Sequence, residues 1–340
     1  MKILKTIFIN IILFFLFLII IEIFFGSWFK NNFAFKLSAE RNINRLYQFN
    51  FSNHKGTSHY IRDNNGFRTN GEKIIPSKID IVFSGGSTTN QKFLNYNDTI
   101  VAGIQDYFKN LKIVNAGIDG LSIKGHINSF DFWFDKIKNL NPKYYIFYVG
   151  INDQNLLSQK TKDVDLFEES SFKNNLKEFM ESNSFFYKNF RLLKTYSYLK
   201  FGYKKGINIV NKDGVVYGER SSKKFINYNE FEKNGGSIDK NYSDLFMNHL
   251  INLTEKTRKR GAKVIYITQI SGSGVNKELY SAAETIMQHC KSEELNCINL
   301  AKNLALSYDD FYDELHLNVG GSKKVINYLV EQLKKNLILN

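Results

Sequence analysis

Cysteine is nearly absent. Cys290 and Cys297 are the only two in 340 residues, which excludes a disulfide-stapled scaffold and leaves one bridge, between these two, open. Arginine is scarce as well: only eight of the 46 Lys and Arg residues are Arg, and none sits in a dense basic block. The net charge of +13 therefore lacks the guanidinium forks that read phosphates and bases, and no nucleic-acid partner is expected. No Gly-Lys-Ser/Thr follows a glycine-rich turn, so a Walker phosphate cradle is excluded. No His/Cys/Asp cluster has metal-ligand spacing, and neither a metal nor a cofactor is expected. Internal repeats are missing too. What the chain has in quantity is apolar surface: 43% hydrophobic residues make it too apolar for a disordered chain and sufficient for a full core.

Much of that surface lies at the N-terminus. Ile7–Phe25 is a nearly continuous apolar run, interrupted only by Asn10 and Glu22, and roughly 20 apolar residues cross a bilayer core as a helix. The run ends in Gly26-Ser27-Trp28-Phe29-Lys30, with an interfacial Trp and no small-x-small cleavage site. Residues 1–28 are read as an uncleaved signal-anchor and the chain as a single-pass membrane protein. Lys2 and Lys5 precede the run, while Lys30, Lys36, Arg41 and Arg45 follow it. The positive-inside count alone does not place the N-terminus inside. The layout of a short basic tail before an apolar run does, and puts the following domain outside the cytoplasm.

Residues 29–75 read as a polar juxtamembrane segment with a turn at Asp63-Asn64-Asn65-Gly66. From 76 to 340 short apolar runs alternate with amphipathic stretches. Ile79–Ser84, Leu111–Asn115, Tyr144–Val149 and Lys263–Thr268 read as buried parallel strands, continuous and rich in β-branched and aromatic residues. Helices are expected over Asp98–Phe108 after an Asn97 cap, Ile123–Ile137, Tyr242–Arg260, Ser281–Glu294 and Val319–Lys335. This order predicts a three-layer α/β sandwich. A mixed insertion at about 154–241 interrupts the alternation. Its stretch Ser184–Gly206 carries six Lys/Arg, no acid, and aromatics throughout. It reads either as a helical excursion with solvated lysines or as a basic, aromatic face on anionic lipid.

In such sheets the site forms beyond the C-terminal strand ends. Gly85-Gly86-Ser87-Thr88-Thr89 follows the first strand, and its glycines permit a sharp turn that exposes the Ser87 hydroxyl. A serine needs a base to become a nucleophile. Among the six histidines, His316 alone has a carboxylate, Asp313, three residues earlier on a loop entering a helix. That spacing suits an imidazole held at Nδ1 with Nε2 free for Ser87. Asp309 and Asp310 are nearby but lack the spacing. Asn152 after the third strand offers a side-chain amide, and Gly120 after the second offers a backbone N–H at close range. With the Ser87 N–H they supply three donors for a developing oxyanion.

These four blocks, GGSTT at Ser87, NAGIDG ending at Gly120, GIND at Asn152 and DELH at His316, resemble those of the SGNH/GDSL hydrolases, in the family's order, over roughly residues 76–335. The resemblance implies a flavodoxin-like α/β/α fold with a parallel sheet. It also implies an esterase site with Ser87 as nucleophile, Gly120 and Asn152 completing the oxyanion hole, and Asp313 and His316 completing the triad. Gly120, not Gly117, matches the family's glycine, five residues after Asn115. One departure is plain: Gly86 stands where the family's Gly-Asp-Ser has Asp, a form common among membrane-anchored members. IRDNNGFRT ahead of the first strand also resembles a leader of envelope-associated members. The expected activity is removal of O-acetyl or other short acyl groups from a cell-envelope glycan. The alternatives are acyl transfer to a glycan, lysophospholipid or thioester hydrolysis, and a non-catalytic glycan-binding protein on the same fold.

Overall fold

The computed structural model describes residues 2–29, 41, 43–51, 53–158, 176, 179–180, 183–187, 189–190, 193 and 224–335. Five short runs make the parallel centre: β4 (Ile81–Gly85), β5 (Ile113–Gly117), β6 (Tyr144–Val149), β7 (Lys263–Thr268) and β8 (Asn296–Ile298). They lie side by side as β5-β4-β6-β7-β8, the 2-1-3-4-5 order of flavodoxin-like sheets. Alternate side chains feed two cores. Val82, Val114, Tyr145, Phe147 and Tyr266 pack on α4 (Ile123–Phe132) and α6 (Lys240–Lys259). Ile81, Phe83, Ile113, Ile146 and Ile265 face α3 (Ile100–Tyr107) and α9 (Val319–Lys335) on the other side. Apolar faces on both sides of the sheet require helices on both, and the three layers follow. Shorter helices are α2 (Ser87–Asn90), α5 (Tyr228–Lys233) and α8 (Leu300–Asn303), and α7 (Lys277–Ser292) completes the set.

Element boundaries moved where a side chain caps. Thr99, not Asn97, opens α3, its hydroxyl accepting the Ala102 N–H. Asn276 opens α7 earlier than hydropathy suggests, accepting the Leu279 N–H at 2.9 Å. Ile79 closes a 3-10 turn over Pro76–Lys78, so the first parallel strand begins at Ile81. Cys290 and Cys297 are paired, joining α7 to β8.

The segment before residue 76 adds structure that the pattern of apolar runs did not suggest. β1 (Ile43–Asn50) and β2 (Lys55–Arg62) form an antiparallel hairpin. A two-residue strand, β3 (Arg68–Thr69), joins β2 to β5. Thus three antiparallel strands extend the parallel sheet along one edge. Arg68 is fully buried at this junction. Its guanidinium donates to the Asn90 carbonyl and, at 2.5 Å, to that of Leu94, and it lies 5.3 Å from the centre of the Tyr60 ring. Burial lowers its pKa only to about 10, so the charge persists at neutral pH.

At the N-terminus Lys2–Phe25 is one helix of 24 residues, about 36 Å long at 1.5 Å per residue, enough for a bilayer core. Its side chains are almost all exposed, and its one acid has partners. Glu22 accepts the Phe185 and Phe186 N–H groups at 2.9 and 3.1 Å and the Trp28 indole N–H at 3.0 Å. Most of the insertion read at 154–241, including most of Ser184–Gly206, lies outside the described residues.

Replacing Arg68 with Leu leaves two buried carbonyls without their donor. We expect a loss of about 2–4 kcal/mol in chemical denaturation. An Arg68→Lys variant should recover little of it, because an ammonium cannot span both acceptors.

Candidate active site

The strand order reverses between β4 and β6, and the crevice at that point is where α/β sheets place their sites. Ser87 follows β4 across Gly86 and starts α2, whose Asn90 N–H bonds back to the Gly86 carbonyl at 3.0 Å. Its hydroxyl is half-buried and points at the loop bearing His316: Ser87 Oγ lies 2.7 Å from His316 Nε2. The other ring nitrogen, Nδ1, lies 2.7 Å from Asp313 Oδ2. Since a carboxylate only accepts, Nδ1 carries the proton and Nε2 presents a lone pair to the serine.

Asp313 is itself held by the loop. It accepts the backbone N–H groups of Leu315 and His316 at 2.8 and 2.7 Å. Burial pushes its carboxyl up, but the His316 ring and these hydrogen bonds outweigh it, and the pKa falls below the ordinary 3.8. The nearby Asp310 is engaged elsewhere, with Ser307 and Lys324. His126, the histidine on α4, is fully buried against Ser84 Oγ at 3.0 Å. Burial lowers its pKa to about 3, which leaves it neutral.

The remaining expected residues arrive from neighbouring strand ends. Gly120 has φ near +80°, a backbone that side-chain-bearing residues rarely take. Asn152 stands in the 3-10 turn Ile151–Asp153 after β6 and donates Nδ2 to the Leu121 carbonyl at 3.0 Å. A Cβ on Gly86 would collide with that same Nδ2. The amide of Asn152 therefore rests directly on the turn before Ser87. Asp153 anchors the turn by accepting the Ile123 N–H at 2.9 Å, and Asn115 ties its strand end to the Thr89 carbonyl at 2.9 Å.

Two groups here were not singled out from sequence. Gln269, directly after β7, is buried. It accepts the Ile151 N–H at 2.7 Å and donates to Thr88 Oγ1 at 2.8 Å, fastening the Asn152 turn to the residue after Ser87. The strand-end rule that found Asn152 applies to it equally. Asp119, next to Gly120, pairs with Lys92 at 2.6 Å and accepts from Asn90 Nδ2 at 2.8 Å. It lies within the electrostatic reach of His316. Burial pushes the Asp119 carboxyl up, yet the Lys92 ammonium and the two hydrogen bonds prevail and hold it at about 2. No group of three or more metal-ligating side chains occurs among the described residues.

The sign of the Asp119 shift sets a stability prediction. The folded pKa lies below the ordinary 3.8, so the charged carboxylate favours folding; that contribution is complete above pH 3.8 and lost as pH falls to about 2. Denaturation midpoints across this window should show Asp119→Asn less stable than wild type at neutral pH. The two curves should converge at the acid end.

No family model and no curated protein matches the sequence. Solved structures do. A lipolytic protein of the G-D-S-L family from Veillonella parvula is similar with a TM-score of 0.44 and 13% identity, covering 74% of this chain and 97% of that one. An acetyl xylan esterase from Geobacillus stearothermophilus is similar with a TM-score of 0.40 and 13% identity, covering 75% of this chain and 96% of its own.

Proposed function

We propose that this chain is a serine esterase of the SGNH type, anchored by its N-terminal helix, that removes O-acetyl or other short acyl groups from a glycan of the cell envelope. One observation carries the reading: Ser87 Oγ, His316 and Asp313 stand in a hydrogen-bonded line with both contacts at 2.7 Å. In the proposed cycle Ser87 Oγ attacks the ester carbonyl while His316 Nε2 takes its proton. Asp313 keeps the ring in the required tautomer and stabilises the imidazolium. Charge then develops on the carbonyl oxygen, and the N–H groups of Ser87 and Gly120 and the Asn152 amide supply donors for it. Collapse of the intermediate expels the sugar alkoxide, which leaves with the proton from His316, and an acyl-serine remains. Water, deprotonated by the same histidine, attacks the acyl-serine; the acid is released and His316 returns the proton to Ser87 Oγ. No step calls for a metal or cofactor.

Two other features support the compartment. A helix long enough to span, followed by a domain with a paired Cys290 and Cys297, suits an oxidising space outside the cytoplasm. The acetyl xylan esterase among the similar structures acts on an acylated glycan by its name, and the same substrate class is proposed here.

A fluorophosphonate probe should label wild-type protein and not Ser87→Ala. Ser87→Ala and His316→Ala should each lower turnover of p-nitrophenyl acetate by several powers of ten, with the double variant little worse, because the two act as one unit. Asn152→Ala should cost about 10²–10³ in kcat with a smaller change in KM. Near-wild-type turnover in Ser87→Ala would sink the assignment.

The anchor has its own test. In intact cells with only the outer barrier opened, added protease should digest the chain beyond Lys30. Digestion that requires lysis of the inner membrane would place the domain in the cytoplasm and remove the envelope substrate.

A further inference from the structure

We propose that the β1–β2 hairpin is a positioning element of the Ser87 site, with His54 and Tyr312 as the residues that set the plane of the His316 ring. The inference rests on the esterase reading above and deepens it. The need for such an element is geometric. Hydrogen bonds at Nδ1 and Nε2 both lie in the imidazole plane, so they leave the tilt of the ring about the line joining them undetermined. A flat partner on one face fixes that tilt.

Tyr312 is that partner. Its ring lies 5.6 Å from that of His316 with planes 12° apart. His54, in the hairpin turn, stacks on Tyr312 at 4.9 Å and 19°, and Phe49 stacks on His54 at 4.4 Å and 19°. Four rings thus form a column that begins in β1 and ends on the proposed base. The column is pinned by polar contacts at the turn. His54 Nε2 donates to the Phe93 carbonyl at 2.9 Å, and Asn53 Nδ2 donates to the Phe311 carbonyl, one residue before Tyr312, at 2.9 Å.

The same hairpin also grips the nucleophile side. From β2, Ser58 Oγ donates to the Lys92 carbonyl at 2.6 Å and the Tyr60 hydroxyl to Asn90 Oδ1 at 3.0 Å. Both acceptors lie within five residues of Ser87. Tyr47, Phe49, Phe51, Tyr60, Phe93 and Tyr312 share one apolar cluster, which makes the grip rigid. The loop bearing His316 is braced from its far side as well, by Ser273 Oγ on Glu314 Oε2 at 2.5 Å. A single two-stranded unit therefore spaces the serine from its base, and it is the unit that follows the membrane helix in the chain.

The test uses full-length protein in detergent and two readouts, fluorophosphonate labelling and p-nitrophenyl acetate kinetics. Misplacing a catalytic group by about 1 Å costs up to about 10²-fold, so His54→Ala should slow labelling and kcat by about 10- to 10²-fold while KM changes little. His54→Phe keeps the ring and should recover most of the loss. Asn53→Ala, at an exposed turn position, should cost about threefold in kcat on the same argument. Wild-type rates in His54→Ala, a loss carried by KM alone, or no recovery in His54→Phe would each overturn the proposal. If near-UV circular dichroism shows His54→Ala unfolded, Asn53→Ala decides, and a wild-type rate there overturns it. A wild-type chain that the probe does not label at all defeats the esterase reading itself and this proposal with it, an outcome distinct from labelled wild type with indifferent variants.

Discussion

A hydrogen bond of 2.7 Å joins Ser87 to His316 across 229 residues of chain, and the rest of the architecture can be understood as what makes that bond available. Ser87 must emerge from a central strand, because only there do neighbours on both sides supply further groups. β4 is that strand, with β5 bringing Gly120 from one side and β6 bringing Asn152 from the other. His316 must return from the far end of the sequence. It does so because α9 packs beside α3 in the same layer, through Val325, Leu329 and Ile104, and the loop before α9 thereby falls over the β4 end. The apolar content of two helices fixes where a titratable pair can stand.

That logic is largely legible in the sequence. Tyr144–Val149 and Lys263–Thr268 are strands as read, since a run of β-branched and aromatic residues has no polar face and needs covering on both sides. The three strand-end blocks follow from the same rule, and the fourth, at His316, is read from its place on a loop entering the last helix. The hairpin was not legible, for a definite reason. Along Ile43–Asn50 the inward positions are Ile43, Arg45, Tyr47 and Phe49, and an inward arginine breaks the alternation by which a half-buried strand is recognised. Arg45, Arg62 and Arg68 are all buried. Each looks like a solvated charge in sequence, and for Arg62 and Arg68 it is the Gly66, Gly117 and Leu94 carbonyls that account for the burial. Glu22 is a similar case: the apolar run shows that an acid is out of place, but two of its three partners, the Phe185 and Phe186 N–H groups, lie more than 160 residues away.

Gln269 marks a different limit. Its position at a strand end was visible, but glutamine has no titratable chemistry to draw attention to it. Its value lies in carrying both an acceptor and a donor on one rigid amide, which lets it join the Ile151 N–H to the Thr88 hydroxyl. An isosteric carboxylate could accept both bonds, since the Thr88 hydroxyl can also donate, but it would bring a charge into a buried position. The amide joins the two partners without one.

The Gly-Gly-Ser sequence at 85–87 acquires a steric explanation from the same crowding. A Cβ at Gly117 would strike the Asn90 backbone, and one at Gly86 would strike the Asn152 amide. Backbone against backbone leaves no room for adjustment at 117. At 86 the obstacle is a side chain, held by its bond to the Leu121 carbonyl at 3.0 Å, so a larger residue could enter only by moving the Asn152 amide from its present place. The glycine lets that amide lie against the turn before Ser87, and the line from Asp313 through His316 to Ser87 is independent of it, because none of those three side chains lies near the place a Cβ at 86 would take.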